Sequence, residues 1–211
     1  GEQDFMGLTF NVNEHVLIPR QDTEILVEEV LKELHDGMRV LDMCTGSGCI
    51  LLSLLHYSND CEGLGVDLSA EALEVAGRNV LKVLTPEKAE HTHFLQSDLF
   101  DKVEGKFEII VSNPPYIASA EVEKLMPEVR DHEPRMALDG TEDGLYFYRR
   151  IIEEAGKHLV SSGMLFFEIG YDQGQAVSEL MREHGYREVQ VVQDYAGLDR
   201  VVYGTYVERK N

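Results

Sequence analysis

The chain has 211 residues, of which 43% are hydrophobic and 27% are charged. This length and mix are typical of one folded domain and exclude a disordered or low-complexity protein. Nineteen Lys and Arg against 39 Asp and Glu leave a net charge of −20. That charge opposes DNA, RNA and anionic membranes as partners, because phosphate binding relies on basic side chains. No stretch reaches the roughly 18 apolar residues of a membrane span, and residues 1–4 lack the features of a signal peptide.

The three cysteines are Cys44, Cys49 and Cys61. An odd and sparse count predicts free thiols in a reducing compartment, so we expect a cytoplasmic protein. The cysteine spacing matches no zinc motif. His91 and His93 could place two imidazoles on one strand face, but no acidic or thiol partner lies near them in the sequence. The sequence therefore predicts no metal site.

The first predicted elements are a hairpin and a helix. Residues 8–18 alternate apolar and polar side chains around residues 13–14, which predicts a β-hairpin that ends at Pro19. A helix is predicted from residue 22 or 23 to about Gly37, with its apolar residues on one face.

The rest of the chain alternates short apolar strands with amphipathic helices. This alternation predicts an α/β fold with a doubly wound, Rossmann-like, mostly parallel sheet covered by helices on both faces. The link between the last two strands is too short for a parallel crossover, so the last strand is predicted to be antiparallel. Strands are predicted at 40–44, 63–67, 93–96, 107–112, 163–169, 188–193 and 201–207, and further helices at 50–57, 69–84, 145–159 and 173–184.

A glycine-containing loop follows the first strand of this sheet and opens a helix. Gly46 and Gly48 permit a tight turn and a close approach of the backbone to a ligand, and the start of the helix offers free backbone N–H groups. Asp67 ends the next strand, where a carboxylate can accept both ribose hydroxyls of an adenosine. Because ligands bind at the carboxyl ends of strands in such sheets, the loop and Asp67 together predict a nucleoside site.

The loop also indicates which nucleoside is bound. Leu51 stands where a dinucleotide fingerprint requires a third small residue, and no P-loop lysine follows the glycines. Both features weaken the case for NAD or ATP. S-adenosylmethionine carries no phosphate and tolerates an acidic loop, so the sequence favours it as the cofactor.

The tetrad Asn113-Pro114-Pro115-Tyr116 directly follows an apolar strand. Pro115 biases Pro114 toward an extended conformation and has no N–H to compete for the Pro114 carbonyl. That carbonyl and the Asn113 side-chain oxygen can accept the two N–H bonds of a planar NH₂ group, while the Tyr116 ring can stack on it. The tetrad therefore predicts methyl transfer to an amide or amine nitrogen.

With these motifs the chain resembles the HemK/PrmC family, the peptide chain release factor glutamine N5-methyltransferases. The resemblance spans almost the whole chain. Its motifs are Val16–Arg20 with Asp22–Glu24, the loop at 42–48, Gly65–Ser69, Ser97–Phe100, Val111–Ile117, His132–Arg135, Phe167–Gly170 and Asp194–Val201.

The resemblance implies a seven-stranded class I methyltransferase sheet with a reversed last strand. It also implies S-adenosylmethionine as cofactor, S-adenosylhomocysteine as product, and as substrate the glutamine of the Gly-Gly-Gln motif in bacterial release factors. The family usually begins with a helical domain, so we expect residues 1–20 to be a hairpin and linker that lead from a missing domain, and 21–211 to be the methyltransferase domain. The implied cofactor-binding residues are Cys44, Thr45, Gly46, Ser47, Gly48, Asp67, Asn113 and, on the adenine side, Leu99. The implied substrate-binding residues are Asn113, Pro114, Pro115 and Tyr116. Of these, Asn113, Pro114 and Tyr116 are the implied catalytic residues.

Several polar residues keep two interpretations. Arg20 could reach the methionyl carboxylate of the cofactor or form a surface ion pair. His132 and Glu133 lie in a polar segment, 117–141, that is too long for a simple loop; they could border the substrate cleft or shape the segment by packing. Glu168 could order neighbouring backbone N–H groups. A general base is not required, since the methylated amide can lose its proton to water.

Four hypotheses for the function follow. The first is a monomeric enzyme that methylates release factors, and the second is the sister enzyme that methylates a glutamine of a large-subunit ribosomal protein. Residues 168–174 and 194–201 favour the first. The third is an adenine-N6 DNA methyltransferase with the same tetrad, which the charge of −20 opposes. The fourth is a non-catalytic binding module, which the intact tetrad opposes.

Overall fold

The computed structural model describes residues 1–208. Its centre is a seven-stranded β-sheet. A separate N-terminal hairpin consists of β1 (Glu2–Phe5) and β2 (Leu8–Asn11), and the strands of the sheet are β3 (Arg39–Met43), β4 (Glu62–Asp67), β5 (Thr92–Gln96), β6 (Phe107–Ser112), β7 (Leu159–Glu168), β8 (Tyr186–Gln193) and β9 (Asp199–Tyr206). Their spatial order in the sheet is β5-β4-β3-β6-β7-β9-β8.

The direction of the strands confirms the predicted α/β sheet. Strands β3 to β7 are parallel, whereas β9 lies antiparallel between β7 and β8. The backbone N–H of Asp194 donates to the carbonyl of Leu198 at 2.8 Å, which closes the short turn that reverses the chain. The carboxyl ends of β3, β4, β6 and β7 therefore lie along one edge of the sheet, as the doubly wound arrangement requires.

Helices cover both faces of the sheet. The helices are α1 (Glu24–Glu33), which follows a 3-10 turn at Gln21–Thr23, α2 (Cys49–Tyr57), α3 (Ala70–Val83), α4 (Pro86–Glu90), α5 (Ser119–Val122), α6 (Pro127–Arg130), α7 (Arg135–Leu138), α8 (Tyr146–His158) and α9 (Gly174–Glu183). Successive strand residues point to opposite faces, so Ile109 and Val111 pack in the core beneath α1 to α3, while Ile110 packs in the core beneath α8 and α9. Within the described chain, no helix is long and apolar enough to span a membrane.

The predicted hairpin over residues 8–18 is wrong. The hairpin pairs β1 with β2 and turns at Met6 and Gly7, whose φ angles of 52° and 71° provide the left-handed conformation that a two-residue turn needs. Phe5 and Phe10 from its two strands are buried in the core. The alternation after residue 11 has another cause, because Val12 and Val16 pack on α3 without forming a strand.

The predicted first helix is too long at both ends, since α1 ends at Glu33 and the 3-10 turn precedes it. The segment 117–141 is not a plain loop but carries the three one-turn helices α5, α6 and α7. Most other boundaries agree with the predictions to within two residues, but β7 begins at Leu159 instead of residue 163 and α4 was not predicted. The Ser69 hydroxyl accepts from the backbone N–H of Ala72 at 3.1 Å and caps α3, as predicted.

Candidate active site

Two adjoining cavities open at the edge where the parallel strands end. The larger has a volume of about 290 Å³ and the smaller of about 110 Å³. Ligand sites in proteins usually measure about 300–1,000 Å³, so the larger one suits a small molecule and the smaller a single side chain. Four residues line both cavities and form their common wall, namely Leu17, Arg20, Asn113 and Ala137.

The loop after β3 lines the larger cavity, with Cys44, Thr45, Gly46 and Ser47 in its wall. Cys44, Gly46 and Gly48 have φ angles of 64°, 54° and 78°, so the loop alternates into the left-handed region. Gly48 itself does not line the cavity. A Cβ at Gly48 would lie 3.2 Å from the Ala76 Cβ, so this glycine permits the close packing of α2 on α3.

Asp42 stabilises this loop from beneath. Its side chain is fully buried, and its Oδ2 accepts from the Thr45 hydroxyl at 2.6 Å and from the Leu51 backbone N–H at 3.3 Å. Burial raises the pKa of Asp42 to about 7, against the opposing effect of those hydrogen bonds. Asp42 does not line the cavity, so its contacts support the shape of the loop.

Asp67 lines the larger cavity at the end of β4. Its Oδ2 accepts from the Gly46 N–H at 2.9 Å, and its Oδ1 accepts from the Ser69 N–H at 3.0 Å. Burial raises the pKa of this carboxyl group above its ordinary value. The carboxylate thus connects the two loops of the cavity and still presents oxygen atoms to a ligand, since each oxygen can accept a further hydrogen bond.

Leu99 also lies in the wall of the larger cavity, together with Ser97 and Asp98. Its backbone is left-handed, with a φ of 46°, and its side chain is buried. This position provides an apolar surface in the wall of the cavity; its place on the adenine side stays a prediction.

The substitution Gly46→Val is expected to lower cofactor affinity at least tenfold. The new side chain would meet no protein atom within 4 Å, so it would occupy the space that the ligand needs. In addition, valine in the left-handed conformation of residue 46 would cost about 1–3 kcal/mol of stability. Calorimetry with S-adenosylmethionine measures the affinity. Gly37→Val is the matched control, because Gly37 also has a left-handed φ and open space but lies outside the cavity; equal affinity loss in both variants would contradict the expectation.

The tetrad after β6 is divided between the two cavities. Pro115 lines the larger, Pro114 and Tyr116 line the smaller, and Asn113 lines both. Within residues 1–208, no hydrogen bond occupies the Asn113 side chain or the Pro114 carbonyl. Two acceptors in the wall of the smaller cavity are therefore available to a ligand.

The backbone of the tetrad is held from outside. The Gln173 side-chain amide donates to the Tyr116 carbonyl at 2.9 Å. A Cβ at Gly144 would lie only 2.3 Å from that same carbonyl oxygen, and one at Gly140 only 2.8 Å from the Tyr116 Cα. These glycines allow residues 140–144 to pack directly against the tetrad, which supports its backbone at Pro115 and Tyr116.

The structure brings Arg20 and Glu133 together. The Arg20 guanidinium forms an ion pair with the Glu133 carboxylate, and Glu133 is 7% exposed. Arg20 is thus paired with the segment 117–141 and also lines both cavities. His132 is exposed and lines neither cavity.

Glu168 differs from the prediction. Among the described residues no backbone N–H donates to its carboxylate; the Tyr116 hydroxyl lies 3.5 Å from Oε1, and the Thr23 hydroxyl lies close enough to favour the charged form. The side chain is buried and lines the smaller cavity. Burial raises its pKa to about 7, and burial together with this carboxylate raises the pKa of Tyr116 well above its usual value.

Some lining residues were not found from the sequence. The segments on both sides of Pro19 and the segment 135–139 approach the larger cavity, although both are distant in the sequence from the glycine loop. The only sequence signal is an apolar residue such as Met136 within a polar segment. The residues missed in these segments are Val16, Leu17, Thr23, Met136 and Ala137, and Phe147 on α8 was missed as well.

Comparisons with known proteins agree with this geometry. Residues 20–129 match the family model described as the methyltransferase small domain. The chain is 44% identical over 207 residues to the release factor glutamine methyltransferase of Thermodesulfovibrio yellowstonii, covering 96% of this chain and 73% of that protein. It is 46% identical to that of Moorella thermoacetica, covering 95% of this chain and 71% of that protein.

A solved structure is similar as well. The protein-(glutamine-N5) methyltransferase (release factor-specific) of Alicyclobacillus acidocaldarius subsp. acidocaldarius superimposes with a TM-score of 0.54 at 32% identity. The match covers 94% of this chain and all of that chain. The comparisons thus extend over nearly the whole sheet, including both cavities.

Proposed function

Because the chain belongs to the release factor glutamine methyltransferase family, we propose that it transfers a methyl group from S-adenosylmethionine to the side-chain amide nitrogen of a glutamine in a bacterial release factor. The glutamine is the one in the Gly-Gly-Gln motif. The larger cavity holds the cofactor and the smaller cavity holds the glutamine side chain.

The residues of the larger cavity fit the cofactor. The Asp67 carboxylate accepts the ribose hydroxyls, Leu99 contacts the adenine, and the residues Cys44 to Gly48 shape the backbone around the remainder. S-adenosylmethionine, when bound, supplies an electrophilic methyl group on a sulfonium. No phosphate has to be accommodated, which agrees with a site that contains Asp67 and Asp98.

The residues of the smaller cavity fit a primary amide. The Asn113 side-chain oxygen and the Pro114 carbonyl accept its two N–H bonds, and the Tyr116 ring packs on its plane. Both acceptors are free of protein hydrogen bonds within the described chain. They orient a poor nucleophile and favour an amide over a carboxylate, since a carboxylate has no proton to donate to them.

The observation that carries this proposal is the common wall of the two cavities. Asn113 lines both, so a group held by its side chain lies next to a ligand in the larger cavity. This is the arrangement that an in-line transfer between two bound molecules needs.

A labelling experiment tests the function. The protein is incubated with S-adenosylmethionine labelled in its methyl group and, in separate reactions, with a release factor, a large-subunit ribosomal protein and duplex DNA. Label is expected on the release factor, and mass spectrometry is expected to place it on the glutamine. A release factor with that glutamine replaced by alanine is the control. Label on the ribosomal protein or the DNA instead would contradict the proposal.

Binding of duplex DNA is expected to be undetectable at physiological salt, even at about 10 μM protein, because a chain with a net charge of −20 lacks the cations that drive non-specific association. Fluorescence anisotropy with a labelled duplex measures it. Association whose affinity falls steeply with salt concentration would show that a local basic surface outweighs the overall charge.

A further inference from the structure

Glu168 is a buried carboxylate in the wall of the smaller cavity. It lies at the end of β7, is 3% exposed, and lines this cavity together with Asn113, Pro114 and Tyr116. Its Oε2 meets no donor in hydrogen-bond geometry among residues 1–208, although the Thr23 hydroxyl lies close enough to the carboxylate to favour its charged form. Burying a carboxylate oxygen without a hydrogen-bond donor costs free energy of folding. The presence of such a carboxylate beside the two acceptors for the substrate therefore indicates a role in the reaction.

The groups around Glu168 only partly compensate its charge. The Thr23 hydroxyl on the 3-10 turn and Arg200 on β9 favour the carboxylate, but the Arg200 guanidinium is engaged by Asp194 at 3.0 Å. Asp22 on the 3-10 turn opposes the charge, and burial has the largest effect, with the net result that the pKa is raised to about 7. The other titratable or charged groups near the carboxylate or in the same cavity are Tyr116, Tyr148 on α8, Cys49 on α2 and Arg20.

The proposed reaction creates a proton that must leave this cavity. The lone pair of the amide nitrogen forms the new N–C bond, and the electrons of the broken C–S bond remain on sulfur. The nitrogen then carries a positive charge and two hydrogens, one of which it must lose to give the neutral N-methyl amide. In a small cavity the proton acceptor has to be a group of the wall or a water molecule.

We propose that the Glu168 carboxylate accepts this proton. The N–H bond breaks with its electrons returning to nitrogen, and Glu168 becomes a neutral acid that later releases the proton to solvent. Before the transfer, the negative carboxylate also stabilises the positive charge that develops on nitrogen. This inference rests on the proposed function.

The test is the pH dependence of a single turnover with a release factor at saturating cofactor. A raised pKa means that Glu168 is charged, and active, only above about pH 7. The rate is therefore expected to be level at high pH and to fall about tenfold per unit below pH 7. Glu168→Gln is expected to lower the plateau rate about 10²-fold or more and to abolish this dependence. A wild-type rate that does not change between pH 6 and 8.5 would overturn the proposal without any variant.

A second titrating group and one further variant separate the proton acceptor from other causes. Asp42 also has a pKa raised to about 7, so a pH dependence that persists in Glu168→Gln would belong to the cofactor loop and would overturn the inference. Glu133→Gln, a second buried glutamate that lines neither cavity, is expected to keep the wild-type midpoint. If the wild type places no label on the release factor, the proposed function fails; if it does but Glu168→Gln keeps rate and profile, only this inference fails.

Discussion

Asn113→Ala is expected to lower turnover with a release factor by about 10²–10³-fold. The change removes one of the two acceptors that hold the substrate amide, and loss of one preorganised hydrogen-bonding group at a reacting centre typically costs this much. Stability is expected to change little, because the Asn113 side chain makes no hydrogen bond within the described protein and no partner is left unpaired. Cofactor affinity is expected to fall less than turnover, since Asp67 and the loop at 44–48 remain.

The measurement is methylation under saturating cofactor, with thermal melts to confirm folding. Asn59→Ala, an exposed asparagine beyond the end of α2, is the matched control and should retain full activity. Asn113→Asp keeps an acceptor of the same shape and should retain part of the activity. If Asn113→Ala remains within threefold of the parent, Asn113 does not hold the substrate amide.

Asp67→Ala is expected to weaken binding of S-adenosylmethionine by about 10- to 100-fold. Hydrogen bonds to a charged group contribute about 1.5–3 kcal/mol, and 1.4 kcal/mol corresponds to a factor of ten. The variant also leaves the backbone N–H groups of Gly46 and Ser69 without their acceptor. We therefore expect a lower Tm as well, by about 2–4 °C for each kcal/mol lost in a chain of this size.

Asp67→Asn separates these two effects. Its amide oxygen can still accept from Gly46, so the loop should keep its stability, whereas the charge that the ribose hydroxyls need is gone. Calorimetry is expected to show weak cofactor binding with a nearly unchanged Tm. Unchanged affinity in both variants would remove Asp67 from the cofactor site and leave it a structural residue of the loop.

Local patterns in the sequence predict most of the sheet because they depend only on neighbouring residues. The alternation of Ile109, Ile110 and Val111 between the two cores produces the apolar run of a parallel strand, buried on both faces. The short turn at residues 194–198 requires an antiparallel last strand. The position of the hairpin was predicted wrongly, because its turn needs Met6 in the left-handed conformation. Methionine gives no sign of that conformation in the sequence.

The glycine loop, Asp67 and the tetrad could be located from the sequence because each follows directly from a predicted strand. The carboxyl ends of neighbouring parallel strands meet at one edge of the sheet, so motifs after β3, β4 and β6 must lie close together. For this reason the predicted residues, apart from Gly48, surround two adjoining cavities.

Only the tertiary structure decided which polar groups meet across long separations. Arg20 pairs with Glu133, 113 residues away, and Tyr116 lies beside Glu168, 52 residues away. No local pattern encodes such pairs, because they depend on how the segment 117–141 folds over the sheet edge and on the position of β7 next to β6. The sequence alone thus determined the sheet and its two principal motifs, while long-range packing determined the burial of Glu168 and the pairing of Arg20.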